Sequence, residues 1–244
     1  MIGVILAAGM ASRLRPLTND RPKCLLTVGN RPLLQRTMDA LCQQQACIDE
    51  FVVVTGYLHE QIEQFLTSHY PDKTIHFIYN ADYQTTNNIY SLWLARPFID
   101  GKDFILLDSD ILFDPSIALR ILSQTDTVLA LNRHELGDEE IKVIVDQDNR
   151  VMEISKTCSI SDAIGESVGI EKMNAEYSKA LFTELRQMID NEGLVNVFYE
   201  MAFERLIKQG HQFRIIDTTD LFSIELDTVE DFNQAKQLIP QHLY

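Results

Sequence analysis

Cysteine and histidine are sparse, four and six in 244 residues, and neither falls into a ligand pattern. Cys24, Cys42, Cys47 and Cys158 form no C-x-x-C pair and have no histidines at zinc-site spacing, so a zinc module is excluded and reduced thiols are expected. His59, His69, His76, His134, His211 and His242 form no catalytic arrangement. Basic residues are outnumbered, 21 Lys and Arg against 36 Asp and Glu, for a net charge of −15. That balance excludes nucleic acid and anionic membranes as expected partners, since both require a basic footprint. No apolar run is long enough to cross a bilayer. The apolar start is short, lacks a basic leader and contains Gly3, so it reads as a core strand, and a cytoplasmic location is expected. Glycine is scarce as well, at 10 residues. Gly9 has no partner glycines, and neither G-x-x-x-x-G-K-[ST] nor G-x-G-x-x-G occurs, which excludes a P-loop NTPase and a dinucleotide-binding turn. Without a Pro-, Gly- or Ser-rich linker, internal repeat or low-complexity tract, residues 1–244 read as a single domain, with a core over 1–132 and a second part over 133–244.

What is present is concentrated in the first 34 residues. A strand-like run from Ile2 to Leu6 passes into Ala7, Ala8 and Gly9, then into the basic residues Arg13 and Arg15, with Lys23 further on. This is the layout of a phosphate-binding turn. Small side chains let backbone N–H groups approach an oxyanion, Gly9 allows dihedrals that other residues resist, and a guanidinium grips phosphate oxygens through paired donors. Lys23 adds a compact point charge. The stretch Leu6-Ala7-Ala8-Gly9, Ser12-Arg13-Leu14, Pro16-Leu17-Thr18, Pro22-Lys23 and Leu25-Leu26 resembles the signature of the sugar-nucleotidyltransferase superfamily, whose members join an NTP to a phosphorylated small molecule and release pyrophosphate. The resemblance implies a Rossmann-like, three-layer α/β/α fold with a mostly parallel mixed sheet. It also implies that Arg13 holds the β- and γ-phosphates and that Lys23 meets the α-phosphate.

The remaining chain fits an alternating α/β pattern. Strands are expected at Phe51–Val54, Ile75–Tyr79, Phe104–Leu107 and Thr127–Leu131. Helices are expected from Leu33 to about Gln45, over His59–Ser68, and from an Asn87 or Asn88 cap to Ala95. Lys142–Asp146 and Val151–Ser155 flank the polar turn Gln147-Asp148-Asn149-Arg150 and predict a hairpin. Helices follow at Glu176–Met188 and Phe198–Gln209, strands at Phe213–Ile216 and Phe222–Leu226, and a closing helix at Val229–Leu238.

Nucleotidyl transfer needs positioned cations and hard metal ligands rather than a triad, because the attacking phosphate oxygen is already an anion. Asp108 and Asp110 directly follow a buried strand, at the edge where ligands sit in open α/β sheets. By resemblance Ser109-Asp110 is the matching pair, so Asp110 is the first Mg²⁺ ligand. Ser223-Ile224-Glu225-Leu226-Asp227-Thr228 resembles the superfamily's late strand, which implies that Asp227 supplies the second. Asp110 as a turn cap, and Asp227 or Thr228 as the N-cap of the last helix, are the structural alternatives.

Thr86-Asn87-Asn88-Ile89-Tyr90 resembles the phosphocholine and 2-aminoethylphosphonate cytidylyltransferase branch of the superfamily. Asn80, Thr86 and Asn87 are candidates for a pyrimidine edge, with capping as the other role open to the asparagines. Lys156 matches a Glu-Lys-Pro position at which this chain has Ser155 and Thr157, a departure that argues against a hexose acceptor. Glu166, Tyr199 and Glu200 are acceptor candidates, while Trp93 is expected to pack inside its helix. The expected activity is Mg²⁺-dependent transfer from CTP to a small phosphorylated or phosphonylated amino-alcohol, in a chain that is a possible homo-oligomer. Two alternatives stand beside it: a hexose-1-phosphate or inositol-1-phosphate nucleotidyltransferase, and a non-catalytic nucleotide-sensing subunit.

Overall fold

The computed structural model describes residues 1–43, 48 and 50–244. Cys47 and the expected helix end at Gln44 and Gln45 lie outside them. In the first half, β1 (Ile2–Ala7) leads to the short hairpin β2 (Thr27–Val28) and β3 (Arg31–Pro32). Then come α1 (Leu33–Leu41), β4 (Glu50–Thr55), α2 (His59–His69), β5 (Thr74–Tyr79), α3 (Asn88–Leu94), α4 (Arg96–Ile99) and β6 (Phe104–Asp108). Strands β5, β4, β1 and β6 lie side by side in that order, all parallel.

The sheet is buried on both faces, which explains the unbroken apolar runs. Alternation divides them. Ile2, Val4, Leu6, Val52, Val54, Phe104 and Leu106 join one core, and Ile5, Ala7, Phe51, Val53, Ile105 and Leu107 join the other. Helix α3 covers the first face with Ile89, Leu92 and Trp93, and α1 and α2 cover the second with Leu34, Met38, Ile62 and Leu66. Trp93 is buried in its helix as expected, with the Arg96 guanidinium 3.8 Å from its ring centroid. Gly3 is required by this packing, because a Cβ there would come within 2.8 Å of the Phe51 ring.

The second half contributes β7 (Ile111–Phe113), α5 (Pro115–Leu122), β8 (Val128–Asn132), β9 (Lys142–Val145), β10 (Val151–Ser155), β11 (Gly165–Met173), α6 (Ala175–Arg186), α7 (Glu200–Lys208), β12 (Arg214–Asp217), β13 (Ser223–Glu225) and α8 (Val229–Leu238). The expected hairpin is β9–β10, closed by Asn149 at φ 59° and by Asp146, whose Oδ1 accepts from the Asp148 and Arg150 amides. The sequence reading lacks β2, β3, β7, α4 and α5 and, of the main sheet's strands, β11. It runs antiparallel to β6 and bonds also to β8 and β9, so it joins the two halves into one nine-stranded mixed sheet. Its polar residues Glu166, Ser167, Glu171 and Lys172 conceal the strand pattern. A register shift between Ser167 and Glu171, with Gly169 at φ 76°, interrupts the alternation further. Among the described residues, no helix is long and apolar enough to cross a membrane.

Candidate active site

A cleft of about 940 Å³ opens at the carboxyl ends of β1 and β6, and residues from both halves of the chain line it. Leu6, Ala7, Ala8 and Gly9 form its wall at the end of β1. The loop beyond is pinned from two sides. Ala8 O accepts from the Tyr57 amide, and the Tyr57 hydroxyl donates to the carbonyls of Thr18 and Asn19. The dihedral role expected of Gly9 does not hold. Gly9 is outside the left-handed region, which Ala11 occupies at φ 47°. A Cβ at Gly9 would meet nothing within 4 Å, so the missing side chain leaves open space in the cleft instead.

Lys23 starts a single turn, Lys23–Leu25, and its Nζ donates to Asp110 Oδ2 at 2.9 Å and to Asp227 Oδ1 at 2.8 Å. The other oxygen of Asp227 accepts from Arg13 Nη2. Arg15, exposed, does not line the cleft. Burial alone would lower the Lys23 pKa, yet Asp110 and Asp227 carry it above the ordinary lysine range. The same contacts act in reverse on Asp227: burial would raise it, but Lys23 and Arg13 hold it below the usual carboxylate value. Cys24, beside Lys23, is pushed up to about 12 by burial, so its thiol is neutral and unreactive.

Strand pairing brings these acids together. β7 and β13 run antiparallel with Ile111 opposite Glu225, and the Leu226 amide donates to Asp110 O. Glu225 and Asp227, two apart on an extended chain, then face Asp110. One oxygen from each of Asp110, Glu225 and Asp227 lies within 4.8 Å of the others. Glu225 opens onto the cleft's water but is crowded by protein and by the charges of Asp110 and Asp227, which push it up to about 8. Capping is assigned to other residues. Thr228 is the N-cap of α8 in a capping box with Asp231, and Asp114 caps α5, leaving Asp227 and Asp110 free to face the cleft. The donor set fits Mg²⁺: three hard carboxylates, with the buried Oδ1 of Asp110 lacking a hydrogen-bond partner. A divalent cation is also what this excess of negative charge would accept.

Asp108 does not join that group. Strand β6 ends at Asp108, and its Oδ2 accepts from the Tyr199 hydroxyl at 2.9 Å. Tyr199 is fully buried behind the wall and does not line the cleft, so the direct contact with an acceptor expected of it is not open to it. Glu200 lines the cleft while being only 5% exposed. Glu166 lines it as well and pairs at 2.8 Å with His134, a histidine that no pattern in the sequence singles out. Lys156 stands 3.2 Å from Glu139 and 4.9 Å from the Phe198 ring centroid.

On the opposite wall, Asn80 is buried and its side chain is fully engaged, donating to Thr86 Oγ1 and Ser91 Oγ and accepting from the Asp82 amide. It positions Thr86, which is half-buried and lines the cleft. Asn87 caps α3 through its Oδ1. Asn88 Oδ1 accepts from the Tyr199 amide, tying this wall to the start of α7.

The MobA-like NTP transferase domain family matches residues 3–206. The chain belongs to that family and is a nucleotidyltransferase. It is 30% identical over 242 residues to a choline-phosphate cytidylyltransferase of Haemophilus influenzae, covering 97% of each chain. It is 29% identical over 239 residues to a CMP-5'-(3-aminopropyl)phosphonate synthase of Streptomyces rubellomurinus, covering 95% of this chain but only 38% of that protein's length. In fold it matches the CTP:phosphocholine cytidylyltransferase of Streptococcus pneumoniae with a TM-score of 0.83 at 22% identity, over 98% of this chain and 99% of the other. The three-layer, mostly parallel architecture expected from the sequence is the fold the two share.

Of the cleft residues that sequence reasoning passed over, Glu225 had a signal. Ser223-Ile224-Glu225-Leu226-Asp227 alternates, and any reading that places Asp227 on the cleft side of an extended chain places Glu225 there too.

Proposed function

We propose that the protein is a Mg²⁺-dependent cytidylyltransferase that couples CTP to a small phosphorylated or phosphonylated amino-alcohol. The observation that carries this reading is the convergence of Lys23 and Arg13 on Asp227 beside Asp110, in a cleft with an open approach at Gly9. Names of the relatives support the base and the acceptor class; the cleft supports the reaction type.

An acceptor oxygen forms a bond to the α-phosphorus as the α–β bridging P–O bond breaks and pyrophosphate leaves. The nucleophile is an anion, so no residue need remove a proton. Lys23 lies where charge grows on the α-phosphate, and Arg13, half-exposed at the rim, meets the leaving phosphates. Asp110, Asp227 and Glu225 would hold Mg²⁺, which supplies further neutralisation of phosphate charge. Ala8 and Gly9 leave room for the triphosphate, and Thr86 and Asn87 face the base. Lys156 receives the acceptor's phosphate or phosphonate, with Glu166 and Glu200 beyond it for the head group.

The test is pyrophosphate release with CTP, UTP, dTTP, ATP and GTP against amine-bearing acceptors, inositol-1-phosphate and glucose-1-phosphate, with and without Mg²⁺. Release with CTP and an amine-bearing acceptor is expected. Release only with a sugar or inositol phosphate would replace the acceptor assignment, and nucleotide binding without release would leave a sensing subunit.

A further inference from the structure

Behind the acceptor end of the cleft, the half-buried Asp108 and the buried Glu171 flank one hydroxyl, with the buried Glu200 beside them. The Tyr199 hydroxyl lies 2.9 Å from Asp108 Oδ2 and 3.5 Å from Glu171 Oε2, and the other oxygen of Glu171 accepts from Ser167 Oγ at 3.1 Å. Glu171 is 0% exposed and belongs to β11, the strand that joins the two halves. Glu200 follows Tyr199 directly, in the first turn of α7, where the helix dipole favours negative charge. Asp108 and Glu200 form part of the cleft wall. Tyr199 and Ser167 occupy oxygens of Asp108 and Glu171, but the buried Oε2 of Glu200 has no partner. A buried carboxylate oxygen without a donor is costly, and several buried acids together repel one another unless a cation joins them.

Resting on the cytidylyltransferase reading above, we infer that Glu200 and Asp108, backed by Glu171 and Tyr199, form a binding well for an N–H-bearing ammonium group of the acceptor and select it over a quaternary ammonium. A primary ammonium brings three donors and can pair with the Glu200 carboxyl where that residue lines the cleft. A trimethylammonium group has no donor and depends on open aromatic faces. Among the described residues the well has no aromatic cage. Tyr199 is 0% exposed with its hydroxyl fixed on Asp108, and Phe198 already has the Lys156 ammonium near its ring. Lys156 is also close enough for its charge to act on Glu200, so an acceptor whose phosphate or phosphonate rests on Lys156 reaches the well with a short aminoalkyl arm.

The experiment is steady-state pyrophosphate release with CTP and a matched acceptor series: phosphoethanolamine against phosphocholine, and 2-aminoethylphosphonate against its N-trimethyl and 2-hydroxyethyl analogues. The wild-type protein should prefer each primary amine over its trimethyl form by at least about 10-fold in kcat/KM. Glu200→Gln should cost the primary amines about 10- to 100-fold, through the acceptor KM, and the 2-hydroxyethyl analogue several-fold less than that. Equal use of trimethyl and primary acceptors would overturn the inference while leaving the cytidylyltransferase reading in place. So would a Glu200→Gln loss shared equally by amine and hydroxyl acceptors, which is the mark of a structural role. The wild-type series decides the question even if the variant does not fold. Absence of release from CTP with every amine-bearing acceptor would remove the parent reading, and the well's assignment with it.

Discussion

The Lys23 ammonium lies 2.8 Å from Asp227 Oδ1, although 204 residues separate them in the chain. Lys23 belongs to the loop after the first strand and Asp227 to the end of the last, so the contact closes the cleft from both ends of the sequence. It also sets a balance of charge. One oxygen from each of Asp110, Glu225 and Asp227 lies within 4.8 Å of the others, and Lys23 with Arg13 supplies the cations that make this tolerable.

Lys23→Ala should lower kcat by 100-fold or more, the order of effect seen when one preorganised transition-state donor is removed. Folding should weaken as well, by about 3 kcal/mol, because Asp110 and Asp227 lose the buried cation they share, so the rate loss is read on protein shown to be folded. Single-turnover rates and thermal melts, measured side by side, check this. Near-normal turnover would remove Lys23 from the mechanism.

Glu225→Gln and Asp227→Asn should each raise the Mg²⁺ concentration for half-maximal activity. The shift should be at least the 10- to 100-fold seen when an outer-shell partner of a metal site is lost. Asp227→Asn should cost more, since it also leaves Lys23 and Arg13 without a shared anion. Titration of pyrophosphate release with Mg²⁺ separates the two. A Glu225→Gln curve that overlays wild type would reduce the cluster to two ligands.

Gly9→Ala divides fold from function cleanly. The added methyl meets no atom within 4 Å and the backbone is not in the left-handed region, so stability should hold or rise by about 0.4–1 kcal/mol. The methyl projects into the space proposed for the triphosphate, so the CTP KM should rise several-fold. An unchanged KM with an unchanged melt would mean that the phosphates lie elsewhere.

The parallel half was legible because both sheet faces are covered. Continuous apolar runs such as Phe51–Val54 and Phe104–Leu107 have no other comfortable environment. Asp110 and Asp227 were legible by resemblance, and their freedom from capping became visible only once Asp114 and Thr228 were seen to hold those roles. The central strand β11 was not legible. One part of it lines the cleft with Glu166 and Ser167, another buries Glu171 and Lys172, and a shift in register lies between them. Polar residues that face polar partners inside a protein look, in sequence, like a loop. The same reason hid the pairing of His134 with Glu166, which depends on β8 and β11 lying in register.

The buried Glu200 carboxyl should leave its mark on stability as a function of pH. Burial pushes its pKa up to about 7 from 4.5, with the charge of Lys156 opposing the shift. Between pH 4.5 and 7 the folded protein therefore keeps a proton that the unfolded chain has released, and stability falls as pH rises through that window before levelling off above it. A shift of this size corresponds to roughly 3 kcal/mol lost by neutral pH. Asp108 and Glu171, both raised well above the usual range by burial, pull in the same direction, so the wild-type curve alone does not isolate Glu200. The difference between wild type and Glu200→Gln does. Glutamine carries no proton equilibrium, so the variant's melting temperature should gain on wild type from pH 4.5 to 7 and hold a constant offset above pH 8. A gap that stays flat across the whole range would mean that Glu200 titrates at its ordinary value and is solvated in the folded protein. An amine-bearing acceptor should narrow the gap at neutral pH, because it stabilises the ionised carboxylate that only the wild type has.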